Sequence, residues 1–424
     1  MANVLNILEE RGFVDAVTSE ELREKLNSPL KVYCGFDPTG DSLHLGHMVA
    51  IMGLAWFQRC GHTPIALVGG ATGMIGDPSG RSSERSILDE ATIKQNVIGI
   101  QKNLETVLDS INPTTKPIYL NNYDWFKTFS FIDFLRDVGK YFRIGTMLAK
   151  DSVRSRMASE EGISFTEFSY QLLQSYDFFY LNEKYDITLQ IGGSDQWGNI
   201  TAGCELVRKM SGNSVYGVTF PLMTRSDGQK FGKSEKGAIW LSPEKLAPYE
   251  FYQYLVRVSD QDVITLMKLL TFMEMSEIHH YQTLMQKSDY TPNTAQKRLA
   301  EEVTRIVHGD SGLNIALKVT QGVAPGAETV LDSATLEAIA GDMPSKTVAI
   351  DDIMGLQFVD VLVKIGLQNS KGEARRLLRN GGFYLNNQKI ENESAVLQLK
   401  DLIDGHLLLL SVGKKNKLLV RVNA

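Results

Sequence analysis

Residues 30–47, LKVYCGFDPTGDSLHLGH, decide the fold, because an apolar run ends in a polar loop that leads into a helical pattern. The run over 30–36 predicts a β-strand, and the apolar residues of 48–60 predict a helix that ends at Gly61. Backbone N–H groups at the start of such a helix attract phosphate. The stretch therefore predicts a strand–loop–helix unit with a nucleotide site at the end of its strand.

Strands and helices continue to alternate along the chain. The predicted elements that follow are strands at 64–70, 117–122 and 186–193, a helix at 88–110, and several helices between 130 and 180. Strands separated by helices indicate an α/β fold with a parallel, doubly wound, Rossmann-like sheet, whose ligands lie at the carboxyl ends of the strands. After Tyr249 the strand pattern stops, and helical periodicity continues to about residue 315.

A chain of 424 residues is long enough for two or three domains of ordinary size. The predicted parts are a catalytic α/β domain at 1–248 with a helical insertion at about 123–160, an α-helical domain at 249–320, a linker at 321–355, and a small α+β domain at 356–424. Glycines, prolines and acidic residues indicate the linker.

The composition is typical of a soluble protein, with 43% hydrophobic and 22% charged residues. No apolar run approaches the ~20 residues of a membrane-spanning helix, and residues 1–12 lack the pattern of a signal peptide. Cys34, Cys60 and Cys204 are odd in number and far apart, which argues against a disulfide framework. We therefore expect a cytoplasmic protein with no membrane partner.

Net charge differs between the two ends of the chain. Residues 356–424 contain 11 basic and 6 acidic residues, a net charge of +5, whereas the whole chain carries −6. The first 355 residues therefore carry −11. A basic C-terminal segment on an otherwise acidic chain favours a nucleic-acid partner. A solvent-exposed basic face would give the same distribution of charge.

The order of elements in this basic end is more specific than its charge. A short amphipathic helix at 358–367 precedes a helix at 370–382, which begins with the capping-box spacing of Ser370 and Glu373. The segment FYLNNQKI, 383–390, then predicts a hairpin with two central asparagines.

This order of helix, arginine-bearing helix, double glycine and hairpin resembles the S4-type RNA-binding module. The resemblance implies phosphate contacts that weaken with salt, and RNA rather than DNA as the partner. A solvated helix face is the alternative. The candidate RNA-binding residues are Arg375, Arg376, Arg379, Lys414, Lys415 and Lys417.

Two motifs of the α/β domain contain polar side chains that could bind a ligand. In HLGH, 44–47, the two histidines are three residues apart and can reach one ligand, while Gly46 leaves room for a flat base. A metal site would need a third ligand, and none is nearby in the sequence. In KFGKS, 230–234, two lysines beside a glycine form a cationic loop suited to polyphosphate, although an ordinary basic turn has the same composition.

Together, HLGH and KFGKS resemble the two signatures of class I aminoacyl-tRNA synthetases. The intervening segments narrow the resemblance to bacterial tyrosyl-tRNA synthetases; they are YCGFDPTGDSLHLGH (33–47), GGATGMIGDPSGR (69–81), SYQLLQSYDF (169–178) and LQIGGSDQWGNI (189–200). The resemblance extends over essentially the whole chain. It implies ATP-dependent ligation of L-tyrosine to tRNA(Tyr), with Mg2+ accompanying ATP, by a homodimer that pairs through the helical insertion.

The resemblance also implies roles for individual residues. The tyrosine phenol would bind Tyr33 and Asp177, its ammonium group Tyr170, Gln174 and Asp77, and its carboxylate Gln196. ATP would bind Cys34, Gly35, Asp37, Gly46, His47, Gly192, Asp195, Lys230, Lys233 and Ser234. Charge on the reacting phosphates would be stabilised by Thr39, His44, His47, Arg81, Arg85, Lys230 and Lys233.

Several alternatives stay open at this point. Tyr170, Gln174 and Asp177 share one face of a helix, which also fits a partly polar stripe. Within the enzyme class, tryptophanyl-tRNA synthetase is the alternative; from another class, it is an RNA-binding factor with a degenerate synthetase body. KFGKS departs from the class consensus KMSKS at its second and third positions. Cys34 is not expected to be a nucleophile, because the histidines near it belong to the ATP site.

Overall fold

The computed structural model of the chain describes residues 3–80, 88–112, 114–160, 162–226, 228, 231–234, 237–322, 332–338, 340, 344–413 and 416–423. The candidates Arg81, Arg85, Lys230, Lys414 and Lys415 lie outside these residues, as do the side chains of Lys233 and Ser234. The chain divides into two compact units, one of residues 1–246 and 256–307 and one of residues 247–255 and 308–424. The finer boundaries at 248, 320 and 355 stay predictions.

A six-stranded sheet forms the centre of the first unit. Its strands are β1 (Ala16–Val17), β2 (Lys31–Phe36), β3 (Thr63–Val68), β4 (Ile118–Asn121), β5 (Leu189–Gly193) and β6 (Tyr216–Phe220). They lie in the order β1-β6-β5-β2-β3-β4, and neighbours are parallel except for β1 with β6. The predicted doubly wound sheet is confirmed. The strand order changes direction between β2 and β5, which opens a crevice at their carboxyl ends.

Helices surround this sheet. Those of residues 3–211 are α1 (Val4–Glu10), α2 (Glu21–Lys25), α3 (Met48–Arg59), α4 (Glu90–Leu108), α5 (Tyr123–Phe126), α6 (Phe131–Asp137), α7 (Ile144–Leu148), α8 (Asp151–Met157), α9 (Phe165–Tyr185) and α10 (Trp197–Ser211). A two-stranded ribbon of β7 (Lys233–Ser234) and β8 (Gly237–Ala238) precedes α11 (Pro248–Val256), α12 (Asp260–Leu270), α13 (Met275–Leu284) and α14 (Thr294–Gly322), which is interrupted at Gly309. No helix in the described ranges is both long and apolar enough to span a membrane.

Helix α3 packs closely on the sheet. Ten of its 12 residues are buried, so the helix is covered on nearly all sides. Gly53 permits this packing, because a Cβ there would lie 2.2 Å from the ring of Phe220 at the end of β6. The close contact fixes α3, and with it the HLGH motif at the start of the helix.

The second unit contains a five-stranded sheet. Its elements are α15 (Ser333–Ala338), β9 (Ser345–Ala349), α16 (Ile350–Ile353), α17 (Phe358–Lys364), α18 (Lys371–Arg379), β10 (Phe383–Leu385), β11 (Gln388–Lys389), β12 (Leu407–Val412) and β13 (Asn416–Asn423). Strand order is β11-β10-β12-β13-β9, and the predicted hairpin is β10–β11, with positive φ at Asn386 and Asn387. The predicted cap is also present, since Glu373 N–H donates to Ser370 Oγ.

Strand β9 lies where the sequence predicts a linker. It pairs in parallel with β13, and Ile353, just after it, belongs to the core beneath α17 and α18. The sheet of this unit therefore begins before residue 356. Sequence pattern did not reveal the strand because four of its five residues are exposed and three are polar.

Candidate active site

A cavity of about 310 Å³ opens at the carboxyl ends of β2, β3 and β5, where the strand order changes direction. Every predicted tyrosine- or ATP-contacting residue with a described side chain lines it. These residues are Tyr33, Cys34, Gly35, Asp37, Thr39, His44, Gly46, His47, Asp77, Tyr170, Gln174, Asp177, Gly192, Asp195 and Gln196. The fold thus brings together residues from four separate segments of the sequence.

The HLGH and KFGKS motifs are held against each other through backbone contacts. Leu45 N–H donates to the carbonyl of Ile239, just after the KFGKS ribbon, at 2.7 Å. Gly232, the third residue of KFGKS, has a φ of +84° and lies against Gly46, where a Cβ would be 2.6 Å from the Gly46 nitrogen. Glycine alone meets both requirements. The departure from the class consensus at this position is therefore explained by contact with HLGH.

His44 caps the turn that follows it. Its Nδ1 accepts a hydrogen bond from Gly46 N–H at 3.1 Å, and its backbone N–H donates to His47 Nδ1 at 3.2 Å. Because Nδ1 is an acceptor, the neutral imidazole carries its proton on Nε2. The backbone thus sets His44 as a hydrogen-bond donor at the wall of the cavity.

A hydrogen-bond network joins two carboxylates in the cavity wall. Tyr170 Oη donates to Asp37 Oδ2 at 2.9 Å, and Thr72 Oγ1 donates to Asp37 Oδ1 at 2.8 Å. Asn122 Nδ2 donates both to Thr72 Oγ1 at 2.9 Å and to Asp177 Oδ2 at 3.0 Å. Such a network fixes the orientation of each member.

Asp177 and Tyr33 are two buried side chains of the cavity wall. Asp177 is 2% exposed, and its Oδ1 accepts from Trp125 Nε1 at 2.9 Å. Burial raises the pKa of Asp177 to about 8, opposed by the hydrogen bonds from Asn122 and Trp125. The Tyr33 hydroxyl is buried and has no hydrogen-bond partner among the described residues. An uncompensated buried hydroxyl beside a carboxylate indicates a site for a polar ligand group.

Further hydrogen-bond acceptors line the cavity. Asp77 is held by Ser79 N–H, which donates to Oδ1 at 2.9 Å, and by Gln196 Nε2, which donates to Oδ2 at 2.7 Å. The Oε1 atoms of Gln174 and Gln190 are buried without partners in the described part of the chain. An ammonium group has three N–H donors and no acceptor, so these oxygens suit a primary amine.

Cys34 does not have the environment of a nucleophile. Its side chain is buried, and burial raises the pKa of the thiol to about 12. The reactive thiolate is therefore scarce at neutral pH. This supports the expectation that Cys34 is not a nucleophile.

Sequence reasoning missed several polar residues of the cavity. They are Thr72, Ser79, Asn122 and Gln190. Asn122 had a readable signal, because it directly follows β4, and side chains after the carboxyl end of a parallel strand face the ligand edge. Gln190 lies inside an apolar strand, where only the register of the sheet reveals which way it faces.

The candidate RNA-binding arginines lie on α18 in the second unit. Arg375, Arg376 and Arg379 are all exposed, and Arg379 pairs with Glu393. Lys417 is half-buried on β13, and burial lowers the pKa of its amine. The three arginines are therefore the exposed candidates in the part of the chain that the structure describes.

Comparisons with known proteins show the family to which the chain belongs. Residues 24–322 match the family described as tRNA synthetases class I (W and Y), and residues 335–420 match the tyrosine--tRNA ligase SYY-like C-terminal domain. The tyrosine--tRNA ligase of Protochlamydia amoebophila is 63% identical over 422 residues, which cover 100% of this chain and 99% of that protein. The chloroplastic/mitochondrial tyrosine--tRNA ligase of Arabidopsis thaliana is 53% identical over 99% of this chain and 84% of that protein.

A solved structure shows the same fold. The C-terminally truncated mitochondrial tyrosyl-tRNA synthetase of Aspergillus nidulans matches with a TM-score of 0.67 at 32% identity, over 74% of this chain and 92% of that one. The fold is therefore that of a class I aminoacyl-tRNA synthetase. Within that class, the chain belongs to the tyrosine--tRNA ligase family. The predicted resemblance is confirmed, and the tryptophanyl alternative is weaker because the full-length relatives are tyrosine enzymes.

Proposed function

We propose that this enzyme activates L-tyrosine with ATP and transfers the tyrosyl group to tRNA(Tyr) in the cytoplasm. The observation that carries the proposal is the polarity of the cavity. The cavity presents a hydroxyl and a carboxylate, Tyr33 and Asp177, and it also presents hydrogen-bond acceptors on Asp77 and Gln174. These groups are complementary to the phenol and the ammonium group of one tyrosine molecule.

Substrate orientation follows from this complementarity. The phenol donates its hydrogen to Asp177 and accepts one from Tyr33, while the ammonium group donates to Asp77, Tyr170 and Gln174. Gln196 lies near the carboxylate, which then points toward HLGH. Asp195, in the short turn after β5, takes the ribose of ATP, as acidic residues do in other nucleotide-binding α/β folds.

The first step needs charge stabilisation rather than a base. The tyrosine carboxylate is already ionised, so it attacks the α-phosphorus directly and forms tyrosyl-adenylate as the bond to pyrophosphate breaks. Negative charge grows on the departing oxygens in the transition state. Thr39, His44 and His47 line the cavity, and Arg81, Arg85, Lys230 and Lys233 are proposed to join them. Donors fixed before the reaction stabilise such charge most effectively.

In the second step, a ribose hydroxyl of the terminal adenosine of tRNA attacks the adenylate carbonyl and releases AMP. ATP enters as its Mg2+ complex, a substrate form. Incubation with purified tRNA(Tyr), ATP and labelled tyrosine tests the proposal. We expect acid-precipitable label that depends on both ATP and this tRNA. In a parallel incubation, transfer of labelled tryptophan to tRNA(Trp) would contradict the proposed function.

Tyrosine affinity is expected to rise with pH below about 8. The raised pKa leaves Asp177 largely protonated at pH 7 in the free enzyme, and the phenol binds the ionised carboxylate best. Linkage to a pKa of about 8 lowers the dissociation constant about fivefold between pH 7 and pH 8. Equilibrium dialysis without ATP measures it. A constant affinity from pH 6 to pH 8 would show that Asp177 stays ionised throughout.

The exposed arginines of α18 are proposed to bind tRNA phosphates. Replacing both Arg375 and Arg376 with alanine is expected to raise the KM for tRNA about tenfold. The slope of log affinity against log salt concentration should also fall, by the amount expected for the loss of about two phosphate contacts. Tyrosine-dependent ATP–pyrophosphate exchange should not change. Lys389→Ala, which removes an exposed cation paired with Glu391, is the matched control. If neither the KM for tRNA nor the salt dependence of binding changed, α18 would not be part of the tRNA-binding site.

We also propose a homodimer that pairs through the helical insertion. Large apolar side chains are exposed there and immediately after it, namely Phe131, Ile132, Ile144, Leu148, Met157 and Phe165. Exposed apolar residues gathered in one region are typical of a protein interface.

Placing a charge in this apolar region is expected to separate the subunits. Ile132→Asp should give a monomer by light scattering at micromolar concentration, because an unpaired charge in an interface costs about 3 kcal/mol or more. Ile98→Asp is the control, since Ile98 is equally exposed but lies on α4. A stable Ile132→Asp dimer would place the interface elsewhere.

A further inference from the structure

A buried ion pair lies at the start of helix α9. Arg156, at the end of α8, and Glu167, in the first turn of α9, have side chains that are 2% and 0% exposed, and Nη1 of Arg156 donates to Oε1 of Glu167 at 2.9 Å. Nη2 of the same arginine donates to the carbonyl of Gly162, in the connection between the helices, at 3.0 Å. One side chain therefore holds both the connection and the helix that follows it.

Stability alone does not account for this pair. Removing two charges from water costs more than an ordinary ion pair returns, and well-packed apolar residues in their place are often as stable or more so. The pair is also incompletely satisfied, since Arg156 Nε and Glu167 Oε2 have no hydrogen-bond partners among the described residues. What an ion pair provides, and apolar packing does not, is a directional contact that fixes one arrangement.

The helix that the pair holds carries part of the proposed tyrosine site. Glu167 lies three residues before Tyr170 and seven before Gln174, on one face of α9. Glu167 N–H also donates to the cap Ser164 Oγ at 3.2 Å, so the backbone and side chain of Glu167 both fix the first turn. One turn later, Tyr170 Oη reaches Asp37 at 2.9 Å.

We propose that Arg156 is a positioning residue for tyrosine binding. It holds Glu167 and thereby sets the rotation of the first turns of α9, which places Tyr170 and Gln174 at the ammonium group. The inference rests on the proposed function, because it assigns those two residues to the substrate. Small displacements of groups that orient a substrate lower activity strongly.

An apolar replacement of the whole pair separates positioning from stability. The double variant Arg156→Met/Glu167→Leu keeps the volume of the core and removes both charges, so we expect it to fold with a Tm near that of the wild type. In tyrosine-dependent ATP–pyrophosphate exchange, its KM for tyrosine should rise about tenfold or more while its KM for ATP stays within about twofold. Arg154→Met, on an exposed arginine of the same helix, is the matched control.

The possible outcomes distinguish the positioning role of Arg156 from the proposed function of the enzyme. A folded double variant with the wild-type KM for tyrosine would overturn the positioning role and leave the proposed function intact. A wild-type enzyme without tyrosine-dependent exchange would overturn the proposed function itself. If the double variant does not fold, Arg156→Lys decides the matter, because a lysine cannot reach both Glu167 and the Gly162 carbonyl in the same geometry. A raised KM for tyrosine alone supports the proposal, and an unchanged one contradicts it.

Discussion

Replacing His44 with asparagine is expected to lower kcat for tyrosine-dependent ATP–pyrophosphate exchange about 100- to 1,000-fold. Asparagine can still cap the turn, because its side-chain oxygen can accept from Gly46 N–H as Nδ1 of His44 does. It lacks the Nε2 donor at the cavity wall. The loss should therefore fall on the transition state, while the KM values for tyrosine and ATP stay within about threefold.

Two comparisons make this result specific. His280→Asn changes an exposed histidine on α13, outside the cavity, and should leave exchange unaltered. Unfolding midpoints of His44→Asn and the wild type should agree, because the cap is preserved. A variant that kept its kcat and lost only affinity for ATP would show that His44 binds the ground state and does not favour the transition state.

Replacing Asp177 with asparagine is expected to lower kcat/KM for tyrosine about 100-fold or more, because the phenol loses a charged acceptor and a buried group is left poorly paired. The cause is visible in the contacts of the carboxylate. Both of its oxygens accept, one from Trp125 and one from Asn122, so an amide at this position must turn an NH2 group toward one of these donors. The substrate and the wall of the site are affected together.

Discrimination against phenylalanine should shrink in the same variant. Phenylalanine leaves the wild-type Asp177 and Tyr33 unpaired, and tyrosyl-tRNA synthetases are themselves the standard example of selectivity gained in this way. Exchange rates with the two amino acids measure the change. Asp186→Asn, at the exposed end of the same helix, is the control. A preserved preference for tyrosine in Asp177→Asn would assign the recognition of the phenol to another group.

Sequence pattern was sufficient for much of the fold. Most residues in the runs that gave β2, β3 and β5 are buried, so their apolar residues stand out without knowledge of the tertiary structure. Short strands such as β1 and β9 were not readable from the sequence. β1 has two residues, and β9 is largely exposed, so each exists through its pairing with a partner distant in sequence. Pairing of that kind leaves little trace in local composition.

The candidate site was predictable where it had motifs. The HLGH motif and the polar residues from Tyr170 to Asp177 were identified from the sequence, and both groups line the cavity. The way in which Asp177 is held was not predictable, because Trp125 and Asn122 come from a different segment and meet it only in the folded chain. The same is true of Arg156, whose partner is recognisable only from burial and distance.

The most direct test of the account is ATP–pyrophosphate exchange with the intact enzyme against each standard amino acid in turn. It measures the first step alone and needs no tRNA. We predict rapid exchange with tyrosine and far slower exchange with phenylalanine and tryptophan. Exchange that tryptophan supports and tyrosine does not, or exchange with no amino acid at all, would contradict it.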